Sequence, residues 1–218
     1  MSAPPFATAN LSARTADDPA AVATNRARLA VALTLGDARD WCWLHQVHGA
    51  VVLDADAGGR GDVPPADAAV TRTPGRPLAV LTADCAPLVL ACDDAVGVAH
   101  AGWAGLLAGV VEAAVRRLRA VGHGPVRAAL GPCIHPARYE FGADDLARVA
   151  EVYGPTVAAT TREGHPALDL PAAVRAALGR VDVSDLDEID VCTAASPDYF
   201  SYRREGETGR QALVAVLG

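Results

Sequence analysis

Apolar residues along the chain fall into short unbroken runs and longer stretches at helical period. The densest part is Leu78 to Gly105, LAVLTADCAPLVLACDDAVGVAHAGWAG, where Leu78–Leu81, Leu88–Ala91 and Ala95–Ala99 predict buried strands. A carboxylate, a thiol and a proline interrupt this core-like sequence at Thr82-Ala83-Asp84-Cys85-Ala86-Pro87, and the third run leads directly into His100. Upstream, Asp18 as N-cap, Pro19 at the first helical position and Gly36 as a stop predict a helix from Pro19 to Leu35. Val22, Arg26, Leu29 and Leu33 share one of its faces, which sets an arginine among apolar neighbours. Trp41–Leu44, Ala50–Leu53 and Ala68–Thr71 read as strands, with a Gly-, Asp- and Pro-rich surface loop over Asp54–Pro65.

After Ala101-Gly102-Trp103, the positions Leu107, Val110, Val111, Ala114, Val115 and Leu118 keep helical period to Gly122 and predict one helix. A strand over Val126–Leu130 then meets a Gly131-Pro132-Cys133-Ile134 turn. Helices over Ala143–Tyr153 and Pro171–Leu178 and late strands over Ile189–Thr193 and Gln211–Leu217 follow, with a hairpin or loop over Phe200–Arg210. Strands and helices mix without regular βαβ alternation, which predicts an α+β (mixed α/β) fold of mixed β-sheets flanked by helices. A length of 218 residues with 51% hydrophobic content suits a single domain over 1–218.

A net charge of −7 and the lack of a basic cluster interleaved with aromatics exclude a nucleic-acid surface. Arg116, Arg117 and Arg119 instead suit the closing turn of a helix. The opening MSAPPFATAN has no basic or apolar signal region, and Asp84, Asp93 and Asp94 exclude a bilayer span, so a cytoplasmic protein with no membrane partner is expected. Five cysteines without an oxidising compartment imply free thiols.

His48, Cys85 and His100 stand at the ends of predicted strands. A catalytic zinc site needs three such ligands and an open fourth position, while a Cys and a His can equally form a nucleophile and its base, or simply be buried. Their separations lack the tight spacing that would choose between these readings. Cys42, Cys92 and Cys192 lie in apolar patterns and belong to the core, whereas His123 and His165 fall in solvated loops; His45 and Cys133 adjoin candidate site residues. Arg26, Arg203, Arg204 and Arg210 have the two-pronged side chain that binds phosphate or carboxylate.

Several motifs occur together in order: Asp17-Asp18-Pro19 with Asn25-Arg26, Gln46-Val47-His48-Gly49, Thr82-Ala83-Asp84-Cys85-Ala86-Pro87, and Ala99-His100-Ala101-Gly102-Trp103. They continue through Gly131-Pro132-Cys133-Ile134 with Tyr139-Glu140, Tyr199-Phe200-Ser201-Tyr202-Arg203-Arg204 and Thr208-Gly209-Arg210-Gln211. Through them the chain resembles the YfiH family, also called the laccase-domain or polyphenol oxidase family, over nearly its whole length. The resemblance implies that His48, Cys85 and His100 bind zinc, with copper as the other metal. It also implies a fold shared with Cys-His toxin deamidases, in which the matching Cys and His are catalytic.

Three activities are attached to the family: phenol oxidation, phosphorolysis of purine nucleosides with adenosine deamination, and editing of peptidoglycan precursors. A multicopper oxidase holds several coppers largely on imidazoles, and the chain has six histidines in all, so laccase chemistry ranks low. The resemblance leads to the expectation of a zinc-dependent purine nucleoside phosphorylase acting on adenosine, inosine and methylthioadenosine, with adenosine deaminase activity. Cys85, His100 and Asp84 would be catalytic; Arg26, Gln46, Cys133, Arg203, Arg204 and Arg210 would bind nucleoside and phosphate. The alternative is a Cys-His hydrolase of amide or peptidoglycan-precursor bonds. Phe141 after Tyr139-Glu140, and Ala194-Ala195-Ser196 after Cys192-Thr193, depart from the family pattern.

Overall fold

The computed structural model describes residues 1–57 and 63–218, so the middle of the expected Asp54–Pro65 loop lies outside the described residues. In chain order the elements are α1 (Pro19–Leu33), β1 (Cys42–Trp43), β2 (Val52–Asp54), β3 (Ala68–Thr71), β4 (Leu78–Thr82), β5 (Ala86–Cys92), β6 (Ala95–Ala101), α2 (Trp103–Leu107) and α3 (Val110–Val121). They continue with β7 (Arg127–Leu130), α4 (Ala143–Tyr153), β8 (Ala158–Thr160), β9 (Pro166–Leu168), α5 (Leu170–Gly179), β10 (Leu186–Glu188), α6 (Tyr202–Glu205) and β11 (Gln211–Ala215).

A six-stranded mixed sheet runs β10-β7-β5-β6-β3-β2, a three-stranded sheet runs β1-β4-β11, and β8 pairs with β9. Helix α3 lays Val110, Val111, Ala114, Val115 and Leu118 on one face of the large sheet, next to Ala173, Val174, Ala177 and Leu178 of α5. On its other face, Ala69, Val96 and Val98 meet Leu78 and Val80 of β4 and Ala215 of β11. Coverage from both sides explains why β6 is buried at every position and reads as an unbroken apolar run. Mixed sheets flanked by helices are therefore the architecture, as the pattern predicts.

Four local expectations are corrected. The helix expected to run unbroken to Gly122 is split: Gly109 at φ +82 ends α2 and starts α3, in the left-handed region glycine enters without penalty. Helix α1 stops at a left-handed Thr34, before Gly36, and buries Ala21, Val22, Asn25 and Ala30, while Leu33 is 42% exposed. The strand expected over Ile189–Thr193 forms three residues earlier, as β10. Val191 N–H bonds back to Ile189 O at 2.8 Å, a tight turn that ends the ladder against β7. The Phe200–Arg210 stretch contains α6, capped by the Ser201 hydroxyl, which accepts from Arg204 N.

Between β4 and β5 the chain leaves the small sheet for the large one, and Ala83-Asp84-Cys85 makes the crossing. That crossing positions the site.

Candidate active site

In the β5–β6 ladder His100 lies opposite Pro87. Residues opposite one another share a face, so the His100 ring stands on the side from which Cys85, two residues before Pro87, arrives. His48 comes from a segment preceding β2 and sits at φ +59, a left-handed conformation that a non-glycine residue holds only when its surroundings fix it.

What fixes it is Asp67, fully buried just ahead of β3. One of its carboxylate oxygens accepts from His48 N at 2.9 Å and meets His100 Nδ1 at 2.8 Å; the other accepts from Val47 N at 3.1 Å and Gly49 N at 2.7 Å. Its backbone carbonyl accepts from His100 N at 2.7 Å. A single carboxylate thus holds both histidines and turns Nε2 of His100 toward Cys85. Burial pulls the Asp67 carboxyl upward, but the hydrogen bonds from His100, Gly49 and Val47 outweigh it and keep it below the ordinary value.

The ligand atoms of His48, Cys85 and His100 all lie within 4.8 Å of one another, and Cys85 Sγ is 3.8 Å from His48 Nε2. Bonds of about 2.1 Å to nitrogen and 2.3 Å to sulfur at a tetrahedral centre put such donors ~3.6 Å apart. The set fits a three-ligand metal site. Gly102 keeps the space open: a Cβ there would come 2.9 Å from His48 Cδ2 and 3.1 Å from Cys85 Sγ. Burial would raise the Cys85 thiol, but the neighbouring His100 charge and hydrogen bonds from His100 and His48 bring it down to about 6. Burial likewise opposes charge on His100, and Cys85 with Asp67 reverses that, so its pKa is raised.

These donors open into a cavity of about 500 Å³ whose walls include Trp103, Tyr139, Tyr202, Arg203 and Arg210. Phe141 stands edge-on behind two of these rings, 5.5 Å from Trp103 and 5.3 Å from Tyr139, so this departure from the family pattern supports the wall. Asp84 reaches the cavity but both its oxygens are engaged, one by Thr193 Oγ1 at 2.6 Å and the other by Arg203 N at 2.7 Å. It sits at φ +102, so its bonds hold a strained crossing and aim Cys85. Gln46 also lines the cavity, with its amide clamped at both ends to the Leu81 backbone. Arg203 lies 5.1 Å over Tyr139, and Arg210 gives one nitrogen to Thr208 O and Gly209 O.

Three expected site residues are placed elsewhere. Cys133 is 1% exposed and outside the cavity, its thiol pushed well up by burial. The Arg204 guanidinium is consumed by the carbonyls of Thr193, Ser196 and Tyr199 and by Glu205. Arg26 lies in an adjoining cavity. Cys42 and Cys92 are core residues as expected, while Cys192 is partly exposed and its sulfur accepts from His135 N. His123 and His165 are exposed beside Asp94 and Glu140.

The whole chain, residues 1–218, matches the family described as multi-copper polyphenol oxidoreductase laccase. A purine nucleoside phosphorylase of Streptomyces coelicolor is 47% identical over 97% of this chain and 89% of its own length. One from Deinococcus radiodurans is 44% identical over 100% of this chain and 85% of its own. Among solved structures, the hypothetical protein YfiH of Bacillus licheniformis superposes with a TM-score of 0.92 at 27% identity, and YlmD of Geobacillus stearothermophilus with 0.91 at 30%. Each covers 100% of this chain and 88% of the neighbour.

Proposed function

Since the chain belongs to the multi-copper polyphenol oxidoreductase laccase family, we propose that it is a metal-dependent purine nucleoside phosphorylase, the activity its relatives are named for. The observation that carries this reading is a His/Cys/His group opening into a cavity walled by aromatic rings and arginines. The reaction is the attack of a phosphate oxygen on the ribose anomeric carbon. The glycosidic C–N bond breaks, the base leaves with the electron pair and takes up a proton, and free purine results with ribose 1-phosphate, or with 5-methylthioribose 1-phosphate from methylthioadenosine. Adenosine, inosine and methylthioadenosine are the proposed substrates.

Among the described residues one group of three such ligands exists, which suits a single-metal reaction better than multicopper oxidation. His48, Cys85 and His100 would hold the ion. Zinc is proposed because this donor set with an open position is typical of catalytic zinc and phosphorolysis has no redox step; copper remains the other fit. When bound, the metal supplies Lewis acidity to a ligand oxygen.

The chain's own residues do the rest. Trp103 and Tyr139, braced by Phe141, offer flat faces to a purine, and burial raises the Tyr139 phenol so that it stays a neutral donor. Arg203 and Arg210 bring positive charge to the cavity in which phosphate and ribose meet. Asp84 is a positioning residue. We extend the proposal to adenosine deamination, in which water displaces the exocyclic amine and ammonia leaves, because it uses the same open position and base clamp.

The test is metal analysis of the purified protein beside a phosphate-dependent inosine assay, with His48→Ala as control. Bound metal and hypoxanthine release that both fall in the variant are expected. Turnover retained by a metal-free variant, or inosine untouched by the metal-loaded protein, overturns the reading.

One observation favours a second reading. Cys85, His100 and Asp67 follow one another as nucleophile, base and orienting carboxylate, with the thiol lowered to about 6. This is the arrangement of a Cys-His hydrolase of amide or peptidoglycan-precursor bonds. Stoichiometric alkylation of Cys85 that metal does not block would support it; full protection by one equivalent of metal would refute it.

A further inference from the structure

The cavity at the donors is one lobe of a longer groove. Ser12, Arg14, Leu44 and Leu81 line both it and a neighbouring cavity of about 650 Å³. One wall of the neighbour is a fixed aromatic stack. Trp41 and Trp43 lie 5.4 Å apart and nearly parallel, and their indole N–H groups donate to Leu35 O at 2.9 Å and Ala38 O at 2.8 Å. The Arg26 guanidinium rests on this stack, 3.9 Å from the centre of the Trp43 ring.

Arg26 Nε donates to Leu11 O at 2.8 Å. Leu11 is itself held in place by its N–H bond to Arg210 O, so the arginine is anchored on backbone that also reaches the metal lobe. Among the described residues no carboxylate pairs with Arg26, and its two terminal nitrogens make no hydrogen bond. The one acid among the described residues that line this lobe, Asp37, is taken by Arg39. Burial alone lowers the guanidinium to about 10, with no opposing charge to offset it. A partly buried cation, pre-oriented on an aromatic face with its fork unused, is half of a bidentate anion site.

We propose that this second lobe is a phosphate subsite, in which the free fork of Arg26, with Arg14 lining the same lobe, grips a phosphate group. The proposal deepens the phosphorylase reading and rests on it for the choice of phosphate. The phosphate has two sources: the inorganic co-substrate, or a 5′-phosphate on a nucleotide whose ribose and base occupy the metal lobe. The shared residues Ser12, Arg14, Leu44 and Leu81 make the two lobes continuous, so one molecule can reach both.

Calorimetric binding of inorganic phosphate, inosine and inosine 5′-monophosphate to the metal-loaded protein tests this without turnover. Wild type, Arg26→Gln and Arg26→Lys are compared. Loss of a hydrogen-bonded charge pair is expected to weaken the phosphate-bearing probe roughly 10- to 100-fold in Arg26→Gln while inosine is unchanged. Arg26→Lys, which keeps the charge and loses the fork, should fall between them. If inorganic phosphate alone weakens, the subsite holds the co-substrate. If inosine 5′-monophosphate binds more tightly than inosine and loses that advantage, the subsite holds a nucleotide's phosphate.

Phosphate and monophosphate binding that are both indifferent to Arg26 overturn the proposal. Should Arg26→Gln not fold, Arg14→Gln and Arg26→Lys carry the same comparison. Phosphate binding that depends on Arg26 in a protein that does not bind inosine refutes the nucleoside reading and leaves the subsite standing.

Discussion

Asp67→Asn alters the metal centre without touching a ligand. Four N–H donors converge on the two carboxylate oxygens, those of Val47, His48 and Gly49 and Nδ1 of His100. An amide has one oxygen and one NH2, so whichever way it turns, two donors face another donor in a fully buried place. With hydrogen bonds to charged groups contributing about 1.5–3 kcal/mol each, the loss of two amounts to ~3–6 kcal/mol before relaxation. If the oxygen keeps the Val47–Gly49 turn, the NH2 meets His100 Nδ1, that nitrogen must become the acceptor, and the proton moves to Nε2, where it blocks ligation. Changes of this kind lower metal affinity by about 10- to 100-fold. Chelator-competition titration measures the affinity, and the melting temperature of the metal-free protein reports separately on the fold. A folded Asp67→Asn variant with wild-type metal affinity would show that the carboxylate does not position the histidines.

Gly102→Ala places a methyl against His48 and Cys85, so metal content should drop to a small fraction of wild type in elemental analysis while the metal-free melting temperature changes little. Leu90→Ala removes a fully buried side chain between the large sheet and its helices and should destabilise the protein by about 2–5 kcal/mol in urea unfolding. Burial pulls the Asp56 carboxyl up, but hydrogen bonds from Thr71, Arg72 and Thr73 together outweigh it and hold it below the usual carboxylate value. A depressed carboxyl stabilises the fold above its unfolded value and loses that contribution as pH falls through the folded one. The stability gap between wild type and Asp56→Asn should therefore be full at neutral pH and close in acid below 3.8; a gap that widens in acid contradicts the assignment.

Local signals were readable where the cause is local. Asp18 caps α1 through Ala20 N, as Asp-Pro suggests. The runs of β4, β5 and β6 are apolar because both faces of their sheets are covered. His48, Cys85 and His100 stood out as polar groups in core sequence, and the fold gathers them. Asp67 carries no such signal, because its pairing with His100 is fixed by the β3–β6 register, a long-range pairing whose only trace in the sequence is an acid ahead of an apolar run. The helix break at Gly109 was hidden because Leu107 and Val110 keep helical spacing across it. Sorting the arginines depended on α6, whose first turn aims Arg204 at loop carbonyls and leaves Arg203 and Arg210 on the cavity. The separate lobe of Arg26 depends on Leu11, brought to α1 by the far end of the chain.

Cys85 stands on the crossing between the two sheets, His100 belongs to the large one, and the His48 segment is stitched to both, by Gln46 to β4 and by Asp67 to the lead of β3. An ion gripped by all three would act as a rivet through a seam. Its binding energy would add to the side-chain packing and hydrogen bonds that already hold these layers together. Amides of β4 and β11 should then exchange with deuterium more slowly when the centre is loaded, even though neither strand carries a ligand.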